Sequence, residues 1–161
     1  MRRWAALALI AAVGATPAAA QPREGALLQS CILGAAQVHD VPPAAMVVLL
    51  MVEGGRLGMR SPNTNGTGDL GPFQVNEIWL PKIARYWNVP EAEARRLVRD
   101  DLCANAEAAT WIFGMNLRDS KGKLWEGVAR YHSMRPDLQD AYLSKALRAV
   151  RQLRRGDKQH G

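Results

Sequence analysis

One segment constrains this chain more than any other. From Ala44 to Val52 it reads AAMVVLLMV without a polar residue, then turns at once to Glu53, Gly54 and Gly55. A stretch apolar on every side suits a helix running through a core rather than one lying on a surface. It is also shorter than the roughly 20 residues that span a bilayer. Asp40 and the pair Pro42-Pro43 are placed to break the preceding helix and open this one, and the glycine pair is placed to end it. The helix therefore delivers a carboxylate to the end of an apolar run, and burying an unpartnered charge is expensive. Either Glu53 pairs with Arg56 or Arg60 at the helix end, or burial and the negative end of the helix dipole keep it protonated.

The 161 residues, 48% hydrophobic and 22% charged, suit one globular domain with its own core. The chain opens Met1, Arg2, Arg3, Trp4, continues AALALIAAVGA, and reaches Thr16, Pro17 and Ala18-Ala19-Ala20 before Gln21. A positive start, a short apolar stretch and small residues at a cleavage point form the pattern of a secretory signal peptide. The expectation is a leader over 1–20, cut after Ala20, and a domain over 21–161 in the periplasm. The formal net charge of +6 falls when Arg2 and Arg3 leave, yet the remainder stays basic. Anionic lipid or an acidic wall polymer would suit that charge, while export argues against nucleic acid. Cys31 and Cys103 are the only cysteines. An even count in an oxidising compartment points to one disulfide, with two buried thiols as the alternative. The CxxC spacing of zinc sites is absent, and neither a metal nor an organic cofactor is expected.

Helical spacing appears at Leu27, Leu28, Cys31, Ile32, Ala35 and Val38, predicting an amphipathic helix over 26–39 with Cys31 toward the core. Residues 58–72 are rich in Gly, Asn, Thr and Pro and predict a loop or short hairpin. Helices are predicted again at 78–87, at 91–98 opened by Pro90, at 103–117 with one apolar side, and through Trp125, Val128, Ala129 and Tyr131. A last helix from about Asp137 carries the stripe Leu138, Tyr142, Ala146, Val150 and Leu153. Arg148, Arg151, Arg154, Arg155 and Lys158 cover its other faces. That basic side is read as a solvated face, or as one weakly drawn to anionic polymer or membrane.

The motif that bears on Glu53 is Asn63-Thr64-Asn65-Gly66-Thr67-Gly68-Asp69-Leu70-Gly71-Pro72-Phe73-Gln74-Val75-Asn76, with Trp79 after it. It resembles the hairpin of c-type lysozymes. Gly71, Gln74 and Asn76 following a helix-terminal Glu resemble the soluble lytic transglycosylases, in the wording of the small members that accompany type IV secretion, conjugation and pilus machines. Cys103-Ala104-Asn105, Trp111-Ile112 and Ala129-Arg130-Tyr131-His132-Ser133 extend the similarity to most of the chain, with His132 where that family often has Asn.

The resemblance implies a mainly α, α+β lysozyme-like fold: a helical domain with a short loop or β-hairpin forming one wall of a substrate cleft. It implies a peptidoglycan lytic transglycosylase without cofactors, acting on glycan strands, with secretion, conjugation or pilus machinery as partner; an isolated cleft with no assembly domain favours a monomer. By position Glu53 matches the general acid, Gln74 and Asn76 match residues that hold sugar, and Phe73 and Tyr131 match wall positions near the acid. The chemistry is consistent, because a departing alkoxide must be protonated as a glycosidic bond breaks. Amides can bond sugar hydroxyls, and an aromatic ring can pack on a pyranose face. Asp69 matches the second carboxylate of lysozymes, which many lytic transglycosylases lack; its alternative is a turn residue. Two further readings stay open: a muramidase that hydrolyses the same bond, and a non-catalytic wall-binding assembly protein.

Overall fold

The computed structural model describes residues 20–160. Residues 1–19 of the expected leader lie outside the described residues, and the expected cut falls at the first residue of the first helix. Seven α-helices follow in order: α1 Ala20–His39, α2 Pro43–Glu53, α3 Leu80–Trp87, α4 Glu91–Asp100, α5 Leu102–Asp119, α6 Leu124–His132 and α7 Pro136–His160. Between α2 and α3 lie three short strands, β1 Arg60–Pro62, β2 Gly68–Leu70 and β3 Val75–Asn76, and a 3-10 turn Glu77–Trp79. The molecule is mainly helical with one small antiparallel sheet in the order β1-β2-β3. Among the described residues no helix is long and apolar enough to cross a membrane.

Helix α2 forms where the apolar run predicts it. Pro43 stands in its first turn and Gly54 caps its end at φ 60, a left-handed conformation that costs glycine little. Ala45, Met46, Val48 and Leu49 are buried in the core, whereas Ala44 and Met51 are exposed, so the run enters the core on one side and is not buried all round. Helix α5 is the centre of the molecule. Its buried residues, from Asn105, Ala106 and Ala108 through Ile112, Phe113 and Asn116, face several directions, and this corrects the expectation of one apolar side. Small residues such as Ala106, Ala108, Ala109 and Gly114 let neighbouring helices close around it.

Helix α1 packs on α5 and α2 through Leu28, Cys31, Ile32 and Ala36. The expected stripe is corrected at its edges: Leu27 and Val38 are 52% and 70% exposed. At about 100° per residue they lie about 140° and 120° around the helix from Ile32, away from the buried face, so apolar character alone does not bury them. Cys31 and Cys103 form a disulfide between α1 and α5, with Cα atoms 5.0 Å apart and a sequence separation of 72. Closing a loop of that length stabilises the fold by about 4 kcal/mol in the chain-entropy picture. On α7 the stripe is as expected at Tyr142 and Ala146, with Ala149 added. Arg148, Arg151, Arg154 and Arg155 are exposed.

Candidate active site

Residues 58–72 do form a hairpin, and it is held against the helices by a buried amide. Asn105, fully buried on α5, accepts the Phe73 N–H at Oδ1 (2.9 Å). Its Nδ2 donates to the carbonyls of Leu70 (2.9 Å) and Val98 (2.8 Å). The chain between β2 and β3 is thereby fixed to α4 and α5. Gly71, at φ 67, lies so close to Asn105 that a Cβ would meet its amide. Glu77 adds an ionic tie: it accepts Arg60 of β1 at 2.8 and 2.9 Å and also pairs with Arg95 of α4.

The sheet and the ends of α2 and α6 enclose a cleft of about 450 Å³. Glu53 lines one side, and Asp69, Gln74 and Asn76 line the sheet side. Tyr131, His132, Ser133 and Arg135 line the third side, while Asn63, Thr64 and Asn65 form a rim. Four of the residues singled out by sequence beyond Glu53 itself, namely Asp69, Gln74, Asn76 and Tyr131, thus come to one place. Phe73 does not. Its side chain is fully buried in the core, and only its backbone meets the site, where its carbonyl accepts the Tyr131 hydroxyl at 3.0 Å. Burial, followed by the charges of Glu53 and Asp69, pushes the Tyr131 phenol well above its ordinary value, so it is a neutral donor.

Glu53 is the last residue of α2, and its carboxyl pKa is pushed up to about 7. Burial is the main cause. A hydrogen bond from Tyr142 pulls the other way, Asp69 pushes further up, and Lys145 pulls down. The Tyr142 hydroxyl donates to Oε1 at 2.6 Å. Arg60, one of the two guanidiniums expected as neutralising partners, is committed to Glu77 instead.

Asp69 and Asn76 are cross-strand partners between β2 and β3. Asn76 Nδ2 donates to Asp69 Oδ1 at 2.7 Å and to Thr67 Oγ1 at 3.2 Å, while its Oδ1 caps the 3-10 turn by accepting the Ile78 N–H. Both arms of the amide are therefore occupied, and its geometry orients Asp69. Gln74, at φ 48, donates from Nε2 to the Gly71 carbonyl at 2.8 Å, and its Oε1 accepts no hydrogen bond from the described residues. Gly55 makes that placement possible, since a Cβ there would overlap the Gly71 carbonyl and Gln74 Nε2.

Sequence reasoning missed Tyr142, the hydrogen-bond partner of Glu53, and the ring that His132 lays against it. Tyr142 reads as one more member of the α7 stripe, and only its hydroxyl, unusual in an otherwise aliphatic row, signalled a polar partner. His132 lies flat on the Tyr142 ring, with centroids 4.5 Å apart and planes 5° from parallel. No cluster of three or more metal-ligating side chains occurs among the described residues. No protein-family model matches the chain, and no curated protein matches it.

Proposed function

We propose that this protein is a peptidoglycan lytic transglycosylase with a lysozyme-like cleft. It cleaves the β-1,4 bond between N-acetylmuramic acid and N-acetylglucosamine and leaves a 1,6-anhydro end. One observation carries the reading: a carboxyl with its pKa at about 7 faces an open polar cleft. Such a group is protonated often enough to give a proton and basic enough to take one back.

With Tyr142 donating to Oε1, Oε2 of Glu53 carries the proton toward the glycosidic oxygen. As that bond breaks, positive charge develops on the sugar ring, and Asp69, held by Asn76, stabilises it from the sheet wall. Glu53, now a carboxylate favoured by the Tyr142 bond, accepts the proton of the sugar's 6-hydroxyl while that oxygen closes on C1. The acid is regenerated and no water is consumed. Gln74 Oε1 supplies an acceptor for a sugar N–H or hydroxyl. The wording of the 63–76 segment supports a periplasmic role in local wall opening for a secretion, conjugation or pilus apparatus, and the disulfide suits that compartment.

A second reading is favoured by one specific observation, the presence of Asp69 in the same cleft as Glu53. In retaining hydrolysis a carboxylate about 5 Å from the acid acts as nucleophile or charge stabiliser. Mass spectrometry of digested peptidoglycan separates the two, because anhydro and reducing ends differ by one water. Anhydro ends are expected; purely reducing ends would make the protein a muramidase. Glu53→Gln is expected to abolish lysis while folding persists. Retained lysis would overturn Glu53 as the acid, and no lysis by the parent protein would leave a wall-binding assembly role.

A further inference from the structure

His132 ends α6 and lines the cleft, yet the proposed reaction gives it no part. Its ring covers the Tyr142 phenol, whose hydroxyl holds Glu53 Oε1, so three side chains from α6, α7 and α2 form one connected row. Tyr142 is buried at 3% exposure, whereas His132 is exposed. The row therefore links the solvent-facing wall of the cleft to the carboxyl.

We propose that His132 is a positioning residue for Glu53 that acts through Tyr142: the stack sets the tilt of the phenol and so the line along which its hydroxyl meets Glu53 Oε1. A neutral imidazole over a phenol is an ordinary stacked pair. Held flat against it, the phenol keeps its hydroxyl aimed at Glu53, and that hydrogen bond favours the Glu53 carboxylate.

The groups facing His132 set its charge. Partial burial and Lys145 on α7 oppose its protonation, Asp69 on β2 favours it, and together they place its titration below the ordinary histidine value. Tyr131 and Tyr142 stay neutral, and Arg135, on the same wall, is paired with Asp137. Glu53 titrates at about 7. As pH falls, Glu53 takes its proton first and His132 follows. His132 is therefore neutral over the range in which Glu53 ionises, and there the stack rather than a charge acts on Tyr142.

The inference rests on the proposed reaction for its meaning but not for its test. Carbon-13 carboxyl labelling of glutamate, with the Glu53 signal assigned by its loss in Glu53→Gln, reads the Glu53 titration without any activity. His132→Phe keeps a stacking ring and removes the titrating proton. The Glu53 midpoint is expected to keep its parent value in that variant and to rise by roughly half a unit, about threefold in the proton affinity, in His132→Ala, where the phenol loses its support. The alkaline limb of wall lysis is expected to follow the midpoint in each variant. His132→Ala, which removes the ring, is expected to lower kcat severalfold at every pH. Identical Glu53 titrations in the parent and His132→Ala would overturn the inference whatever lysis shows. A shifted titration in a protein that lyses nothing would sink the proposed reaction and leave the positioning role standing.

Discussion

The Tyr142 hydroxyl donates to Glu53 Oε1 at 2.6 Å, joining two residues 89 positions apart in sequence. This bond ties the last helix to the end of the core helix at the point where the carboxyl enters the cleft. It also opposes the main force on Glu53, because burial raises the pKa and the hydrogen bond lowers it. The carboxyl at about 7 is the balance of the two.

Removing the donor shifts that balance in a known direction. In Tyr142→Phe the carboxylate loses its bond while the burial remains, so the Glu53 pKa is expected to rise further, by about one unit. The alkaline limb of wall lysis should move up with it, and kcat should fall on the order of tenfold as the proton loses its orientation. Carboxyl NMR titration and a pH–rate profile measure both effects. A downward shift of the Glu53 midpoint would contradict the role given to Tyr142.

Glu53 also makes stability depend on pH. Its pKa is about 7 in the fold against 4.5 as a free side chain, so between those values the native state binds more protons than the unfolded chain. Stability from this group is therefore fully present below 4.5 and is lost as pH rises through 7. At pH 8 the ionised group costs up to about 3 kcal/mol. Glu53→Gln is expected to be close to neutral at pH 4 and stabilising at pH 8. Denaturant melts at the two pH values test this, and equal effects at both would refute it.

The hairpin wall depends on Asn105. Asn105→Ala leaves the Phe73 N–H and the Leu70 and Val98 carbonyls without their partner in a buried place. Each such group costs about 1–3 kcal/mol, so a loss of about 3 kcal/mol or more is expected in equilibrium unfolding. Amide exchange at Phe73 should accelerate before the helices melt, because the sheet is released first. Protection at Phe73 equal to that of the core would show that the amide is not what holds the wall.

What the sequence made legible follows from the range of the forces involved. Helix α2 and its stop at Gly54 were readable because an all-apolar run and a glycine in left-handed conformation act locally. The strands were less so: Arg60–Pro62 and Val75–Asn76 are too short to show a two-residue alternation. Tyr142 was placed on the correct face, yet periodicity registers its ring and not its hydroxyl, and its partner lies on another helix. Asn105 is a polar residue amid alanines, a signal that something must satisfy it, but the three partners come from segments brought together only by folding. Phe73 looked like a cleft aromatic by its neighbours in sequence. Its neighbours in space are the core.

The Asp69–Asn76 pair offers a last test of the charge arrangement. Asn76→Asp keeps an oxygen to accept the Ile78 N–H, so the cap on the 3-10 turn survives. It loses the donor that holds Asp69 Oδ1 and Thr67 Oγ1, and it sets a second carboxylate directly across the strands from Asp69. Two carboxylates in that position cannot both ionise cheaply. Added negative charge also reaches Glu53, whose pKa Asp69 already raises. The Glu53 midpoint is therefore expected to climb above 7, and the variant to be less stable than the parent by about 2 kcal/mol at pH 8. That deficit should shrink as pH falls, because protonating one member of the new pair restores a donor between the strands. A pH-independent deficit would mean that Asn76 serves the hairpin only as a cap and that the charge of Asp69 is not held by it.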